Sequence, residues 1–179
     1  PSGKQLAARM ALHHLQPGQR ILEIGCGLAL ASLVGHRRGA DVTASDNHPL
    51  TARFLAANLR LNALPPMKYR HGAWAAVLAS SSEPPQRPNS AVRGRYELII
   101  GSDVLYDRDA STALAGFIGR HAAQAGEVWI VDPDRGNRPA FNRRMGTLGY
   151  ALEDCRIDSA ARLGALAYRG RLLVYRRES

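Results

Sequence analysis

Residues 21–29 have the sequence Ile-Leu-Glu-Ile-Gly-Cys-Gly-Leu-Ala, and this segment is the strongest indication of the fold. An apolar strand runs directly into two glycines, and helical spacing of apolar residues resumes after them. Glycine lets the backbone approach a ligand closely, which any side chain would prevent. A strand, a glycine turn and a helix in this order are typical of an open α/β sheet, in which ligands bind beyond the carboxyl ends of the strands.

The residues around this turn distinguish between two kinds of ligand. A dinucleotide fingerprint needs Gly-x-Gly-x-x-Gly, because the third glycine brings the helix close for pyrophosphate binding. Leu30 occupies that third position. An adenosylmethionine ligand carries no phosphate and tolerates a bulkier residue there, and Glu23 is well placed for a ligand with an ammonium group. The turn therefore favours an adenosyl sulfonium, while a dinucleotide-binding dehydrogenase is the alternative.

Short buried apolar runs alternate with longer amphipathic ones along the chain. Strands are predicted over residues 20–24, 41–45, 67–71, 96–100, 127–131, 151–157 and 171–175. Helices are predicted over residues 2–15 with Ser2 as N-cap, from the glycine turn to 38, and over 49–62, 74–79, 110–123 with Asp109 as cap, and 139–148. Repeated βα units imply an α/β fold, a doubly wound, mostly parallel seven-stranded sheet. The last two strands are closely connected and predict an antiparallel C-terminal hairpin.

The length and composition fit one globular domain over residues 1–179, with 45% hydrophobic and 22% charged residues. Residues 80–93 are rich in Ser, Pro and Asn and predict an exposed loop within that domain. Because the chain begins at Pro1 rather than Met, we expect residues upstream of it. No apolar run approaches the roughly 18 residues of a membrane span, and no secretory signal is evident.

Cysteine usage favours a cytoplasmic protein. Cys26 and Cys155 lie far apart in sequence, and Cys26 sits inside the glycine turn, where a disulfide would be awkward. Reduced thiols are the simpler interpretation. The six histidines show no metal-ligand spacing, so we expect no metal.

The charge balance is strongly basic. The formal net charge is +9, and Lys4 and Lys68 are the only lysines among the 24 basic residues. Such a balance suits an anionic partner such as RNA or an acidic protein face. The arginines are scattered rather than clustered, as arginine-favouring codon usage would also produce, so nucleic-acid binding is not favoured.

Two further segments carry groups able to take part in binding or catalysis. Asp46 ends the second strand, about 20 residues after the turn, where a carboxylate can take both ribose hydroxyls of a nucleotide; otherwise it only caps the next helix. Asp103 and Tyr106 follow the most apolar strand and so lie at the same sheet edge as the turn. They can orient a nucleophile at the mouth of a cofactor pocket; otherwise Asp103 caps a helix and Tyr106 is packing.

Taken together, the succession Glu-x-Gly-x-Gly, Asp46, Trp74 and Asp103-x-x-Tyr106 resembles the seven-strand protein lysine methyltransferases with a DxxY motif, which are class I S-adenosylmethionine-dependent enzymes. The opening Pro-Ser-Gly is similar to the end of that family's Trp-Pro-Ser/Ala-Gly segment. The resemblance covers essentially the whole chain and is best over residues 21–62 and 96–107.

The resemblance implies a cofactor, S-adenosyl-L-methionine, with S-adenosyl-L-homocysteine as product, and a protein substrate. It assigns the methionine part of the cofactor to the Gly25-Cys26-Gly27 turn and the adenine to Trp74. It assigns the ribose to Asp46, with Asn47 beside it, and a backbone contact to Ser102. Asp103 and Tyr106 would hold the substrate amine.

The chain departs from the family at three points. Ala73 stands where many relatives carry an acid for the adenine amino group. Residues 131–135, Val-Asp-Pro-Asp-Arg, resemble the Asp-Pro-Gly-Arg of the branch acting on the electron-transfer flavoprotein, with Asp134 in place of glycine. The 80–93 loop is longer than usual.

The sequence argues against some other methyl acceptors and leaves others open. The Asn/Asp-Pro-Pro-Tyr of adenine-N6 and glutamine-amide enzymes is absent, and no glutamate pair for arginine lies between Gly101 and Arg108. The alternatives are a small-molecule or RNA acceptor, or a catalytically inactive module that keeps only the fold. Oligomeric state is left open.

Overall fold

The computed structural model describes residues 1–74, 91–106, 108–134, 136–161 and 166–177, with the backbone alone for 108–110. These residues form five helices and seven strands. The elements are α1 Ser2–Leu12, β1 Arg20–Ile24, α2 Leu30–Arg37, β2 Asp41–Asp46, α3 Thr51–Leu61, β3 Lys68–His71, β4 Tyr96–Ser102, α4 Arg108–His121, β5 Ala122–Asp132, α5 Arg138–Thr147, β6 Ala151–Ser159 and β7 Tyr168–Arg176. None of the described helices has the length and apolarity that a bilayer span requires.

The strands form one sheet in the order β3-β2-β1-β4-β5-β7-β6. The neighbours from β3 to β5 pair in parallel, and β7 is antiparallel to both β5 and β6. The predicted doubly wound sheet and its C-terminal hairpin are therefore confirmed. Strand order reverses between β1 and β4, and Ile24 is in register with both Ser45 and Gly101. The carboxyl ends of β2, β1, β4 and β5 thus form one edge, called the rim below.

Helices cover both faces of the central strands. On one face, Leu6 and Met10 of α1 pack with Ile21 and Leu98, and α3 joins α2 over β2. On the other face, α4 and α5 contribute Phe117 and Phe141 among others to a second core. Burial on both faces explains why β4 is almost continuously apolar, as its central residues are fully buried.

Several predicted boundaries are wrong. Ser2 is the first residue of α1 rather than its cap, and α1 ends at Leu12. Asp109 lies within α4, so it is not a cap either. The third helix begins at Thr51, two residues after the proline expected to open it. Of the helix predicted over residues 74–79, only Trp74 is among the described residues. Most of the 80–93 loop also lies outside the described residues.

Candidate active site

The glycine turn after β1 needs each of its two glycines for a different reason. Gly25 and Gly27 have φ of 56° and 49°, in the left-handed region that favours glycine. A Cβ on Gly25 would lie 2.9 Å from a methyl carbon of Val104 and 3.5 Å from the Trp74 ring. A Cβ on Gly27 would meet no protein atom within 4 Å. Gly25 is therefore fixed by packing, whereas the space above Gly27 is open to a ligand.

Glu23 lies beneath this turn and is 2% exposed. Its Oε2 accepts a hydrogen bond of 2.7 Å from the Ser32 N–H and another from the Ser32 hydroxyl. These bonds tie the end of β1 to the first turn of α2, where the helix dipole favours an acidic group. Burial raises the pKa of Glu23 to about 7, with a smaller contribution from the charge of Asp46, while the Ser32 hydrogen bonds oppose the shift. The expected contact with a ligand's ammonium group stays a prediction.

Asp46 connects the end of β2 to the turn. Its Oδ2 accepts the Gly27 N–H at 2.9 Å and its Oδ1 accepts the His48 N–H at 2.8 Å. Helix α3 begins only at Thr51, so the alternative that Asp46 merely caps that helix is wrong. Asn47 follows Asp46 on the surface.

Cys26 contributes its backbone to the same connection. Its N–H donates to the Ser45 carbonyl at 3.0 Å. The side chain is buried, and burial raises the pKa of the thiol, which is therefore neutral. Cys26 and Cys155 are not bonded to each other in the structure, and their redox state stays a prediction.

The segment after β4 turns back over the glycine turn. Asp103 adopts φ of 57° and donates its N–H to the Val131 carbonyl at 2.8 Å. Val104 and Leu105 are buried, and Tyr106 is 56% exposed. Helix α4 starts at Arg108, so Asp103 is too far upstream to cap it. Asp107, which ends the predicted segment, lies outside the described residues.

Trp74 lies where the two rim segments meet. Its ring centroid is 6.2 Å from that of Tyr106, and its ring also faces the Gly25 backbone. The Trp74 carbonyl accepts a hydrogen bond of 3.2 Å from Arg120 of α4. Since β1 lies between β2 and β4, the structure brings Asp46, the glycine turn and Asp103 to neighbouring positions on the rim.

A buried hydroxyl pair at the rim had no sequence signal. The Tyr168 hydroxyl at the start of β7 lies 3.2 Å from that of Ser2, in hydrogen-bond contact. Burial raises the pKa of Tyr168, and the charges of Asp132 and Asp103 raise it further. Ser102 lies close by, since a Cβ on Gly3 would be 3.6 Å from its Oγ. The N-terminus of α1 therefore closes one side of the rim.

An arginine that sequence reasoning missed anchors the loop after β5. Arg138 of α5 forms ion pairs with Asp132, Asp134 and Asp154. Asp132 is 1% exposed, and Asp134 adopts φ of 67°, where the resembling family branch has glycine. The four-residue spacing of Asp134 and Arg138 was the available signal. Arg135 lies outside the described residues.

Sequence comparisons point to one enzyme family. A model of the family described as lysine methyltransferase matches residues 5–140. The chain is 33% identical over 97 residues to protein N-lysine methyltransferase METTL21A of Danio rerio, covering 54% of this chain and 41% of that protein. It is 27% identical over 161 residues to the electron transfer flavoprotein beta subunit lysine methyltransferase of Xenopus laevis, covering 85% of this chain and 59% of that protein. The chain thus spans about half the length of these relatives.

Comparison with solved structures identifies the fold. The magnesium protoporphyrin IX methyltransferase of Synechocystis PCC 6803, crystallised with bound S-adenosylmethionine, superposes with a TM-score of 0.71 at 16% identity, covering 98% of this chain and 78% of that one. The sheet order, the rim and this likeness agree on the fold of S-adenosylmethionine-dependent methyltransferases. With a family model matched over most of its length, the chain belongs to the lysine methyltransferase family.

Proposed function

We propose that the protein transfers a methyl group from S-adenosylmethionine to a lysine side chain of another protein. The observation that carries the proposal is the placement of the open Gly27 backbone between the Asp46 and Asp103 segments of the rim. One carboxylate stands on the side where a nucleoside would bind, and the other on the side where an acceptor would enter. Family membership and the names of the relatives support the same chemistry.

The residues at the rim fit this cofactor. Each Asp46 oxygen already accepts one backbone N–H, and a carboxylate has about four lone-pair sites, which leaves acceptors for the two ribose hydroxyls. Trp74 offers a ring for the adenine, and Gly25-Cys26-Gly27 and Ser102 offer backbone groups. Glu23 and Asp46 place two acidic groups by the turn, which suits a cationic sulfonium better than a pyrophosphate.

S-adenosylmethionine, when bound, supplies an electrophilic methyl group on a positively charged sulfur. The acceptor lysine has an ordinary pKa near 10.4, so keeping its amine neutral at pH 7 costs roughly 4–5 kcal/mol. Desolvation at the rim lowers that pKa, whereas an ionised Asp103 raises it. We therefore assign Asp103 and Tyr106 to orienting the amine, with water accepting its proton, because positioning supplies most of the acceleration in such a displacement.

The distribution of positive charge argues against an RNA acceptor. Five cations line a cavity of about 460 Å³ at the amino ends of β1, β2 and β3, namely Arg20, Lys68, Arg70, Arg93 and Arg95. β1 has five residues, so this cavity lies roughly 16 Å from the rim, at the wrong edge of the sheet. The rim itself carries Asp46, Asp103 and Asp132. We also propose that the protein acts in the cytoplasm, in keeping with its free cysteines.

The proposal is tested by incubating the purified protein with radiolabelled S-adenosylmethionine and a lysate of the source cells. We expect label that protease removes and nuclease does not, and a mass increment of one methyl group on a lysine. Label in RNA or in a small metabolite would favour the runner-up acceptors. Binding of S-adenosylhomocysteine without transfer to any acceptor would favour an inactive module.

Gly27→Ala tests the cofactor site separately, with Gly18→Ala as matched control. Both glycines have positive φ, and a Cβ on either would meet nothing within 4 Å. Each substitution should lower the free energy of unfolding by about 1 kcal/mol, since alanine is strained in that conformation. Only Gly27→Ala should weaken S-adenosylhomocysteine binding, by tenfold or more in a calorimetric titration. Equal affinity in the two variants would place the ligand elsewhere.

A further inference from the structure

A groove separates α1 from the β6–β7 hairpin. At the rim end, a cavity of about 450 Å³ is lined by Lys4, Gln5, Leu166 and Tyr168 among others. A second cavity, of about 420 Å³, continues along α1 and is lined by the residues Gln5, Arg9, Leu12, His13, His14, Trp129, Val131, Ile157 and Leu172. Gln5 lines both and donates a hydrogen bond of 3.4 Å to the Ser159 hydroxyl across the groove. The two cavities together are called the α1 groove.

One end of the α1 groove opens at the candidate acceptor site. Strands β5 and β6 both pair antiparallel with β7, so β6 runs parallel to β5 and its last residue, Ser159, reaches the rim. Tyr168 lines this end of the groove and its hydroxyl contacts that of Ser2, while a Cβ on the next residue, Gly3, would lie 3.6 Å from the Oγ of Ser102, which directly precedes Asp103. A chain segment in the groove would therefore lead directly to the residues proposed to hold the amine.

The two sides of the groove differ in chemistry. The floor is the apolar face of the sheet, including Val131, Ile157 and Leu172. The α1 side carries the cations Lys4 and Arg9, and the helix contains no acidic residue. On the groove face of β6, Glu153 is paired with Arg176 and lies close enough to Arg9 for the two charges to interact, whereas Asp154 and Asp158 alternate to the other face of the strand. The groove thus presents an apolar floor beside a cationic wall, which consists of the exposed Lys4 and of Arg9, whose guanidinium stacks on Trp129.

We propose that the α1 groove binds the polypeptide segment next to the methylated lysine of the acceptor protein, in extended form and carrying apolar and acidic side chains. This inference rests on the proposed function. Helix α1 has 11 residues and is roughly 16 Å long, which matches about five extended residues. The apolar floor favours a polypeptide over a nucleic acid, whose phosphates would gain nothing from it, and the cationic wall complements acidic side chains.

The probe is an array of immobilised peptides, each with a central lysine. The residues on one side of the lysine are acidic and apolar in one set of peptides, basic and apolar in a second set, and Gly-Ser in a third. We expect the wild-type protein to methylate the acidic, apolar flanks about tenfold better than the others. Lys4→Glu should reverse the preference toward basic flanks. If the wild-type protein methylates lysines in lysate proteins but shows no preference among the flanking sequences, the proposal that the α1 groove binds the acceptor is refuted and the proposed function is not affected.

Leu12→Glu and Leu61→Glu form a matched pair. Each leucine is the last residue of an 11-residue helix, and they are 88% and 83% exposed, but only Leu12 lines the groove. We expect Leu12→Glu to raise KM for the acidic, apolar peptide about tenfold, with kcat and S-adenosylhomocysteine affinity unchanged, and Leu61→Glu to match wild type.

Three results would overturn the inference. They are an equal KM in the two variants, label in RNA rather than in peptide, and a fall in kcat or cofactor affinity for Leu12→Glu without a change in KM. Absence of methylation on any peptide or protein lysine would refute the proposed function and the groove together.

Discussion

The two segments that meet at the rim are held in place by different means. After β1, hydrogen bonds hold the turn: the Cys26 N–H donates to the Ser45 carbonyl, the Gly27 N–H donates to the Asp46 carboxylate, and the Ser32 N–H donates to the buried Glu23 carboxylate. After β4, buried apolar side chains hold the segment, with one backbone hydrogen bond from Asp103 to Val131. Val104 and Leu105 are buried, whereas Tyr106 is 56% exposed.

This difference matches what each segment is proposed to bind. A cofactor that is the same in every turnover suits a turn fixed by hydrogen bonds, because these bonds hold the backbone groups of the turn in one position. An acceptor side chain that enters from outside suits an exposed segment attached by apolar anchors, because the polar groups of the segment then lie where the acceptor can reach them. Gly25 links the two, since a Cβ at this position would lie 2.9 Å from Val104.

Gly25→Ala breaks the link between the two segments and should have the largest effect. The new Cβ would lie 2.9 Å from Val104 in a backbone with φ of 56°. Conformational strain and overpacking together should lower the free energy of unfolding by about 3–4 kcal/mol. Urea denaturation measures the change. Gly18→Ala, strained but uncrowded, should cost about 1 kcal/mol, and an equal loss in both variants would mean that the two segments are not packed against each other.

Glu23→Gln sharpens the comparison on the cofactor side. The folded-state pKa of Glu23 is raised from 4.5 to about 7, so its contribution to stability is full below pH 4.5 and is lost as pH rises through 7. The loss amounts to roughly 3 kcal/mol. Glutamine keeps the acceptor for Ser32 but does not titrate, so the variant should lose this part of the pH dependence.

The measurement for Glu23→Gln is urea denaturation at several pH values between 4.5 and 8. Wild type and variant should have similar free energies of unfolding at the acidic end, and the variant should be the more stable above pH 7. If the free energies of unfolding of wild type and variant changed with pH in the same way over the whole range, Glu23 would not titrate between these pH values. The buried Glu23 carboxylate would then not be the cause of the pH dependence.

The difference between the segments after β1 and β4 also explains which features of the site could be predicted from the sequence. The cofactor side depends on neighbours in sequence, and the bounds of β1 and the placement of Asp46 beside the glycine turn followed from the motif alone. The acceptor side depends on contacts between distant parts of the chain. The hydroxyl contact between Ser2 and Tyr168 spans 166 positions, and no local pattern marks either residue.

Tertiary pairing also overrode local preference at one boundary. Residues 122 and 123 are alanines with strong helix propensity and were predicted to end α4. In the structure β5 begins at Ala122, which pairs with Tyr96 of β4. Pairing with a neighbouring strand determines the secondary structure of such residues, and the periodicity of a single sequence contains no information on this pairing.

Asp103→Asn tests the acceptor side at its charged group. Asparagine tolerates the left-handed backbone at φ of 57°, so the fold should be kept. Loss of the charge removes one charge-assisted hydrogen bond to the amine and loosens its alignment, and kcat should fall roughly a hundredfold. Single-turnover methyl transfer measures the rate, and calorimetry should give wild-type affinity for S-adenosylhomocysteine. Normal turnover in Asp103→Asn would refute the orienting role.

Tyr106→Phe should have the smallest effect, and it tests whether the exposed end of the segment touches the acceptor at all. Removing the hydroxyl deletes one hydrogen bond with a net worth of about 1 kcal/mol, so kcat/KM for the lysine acceptor should fall roughly fivefold. The ring that lies 6.2 Å from Trp74 is kept, and cofactor affinity should therefore not change. Tyr150→Phe is the control, because within the part of the chain that the structure describes the Tyr150 hydroxyl has no hydrogen-bond partner and lies among core residues. A kcat/KM for Tyr106→Phe equal to that of the control would assign the tyrosine to packing against Trp74 and leave Asp103 as the one polar group of this segment that orients the amine.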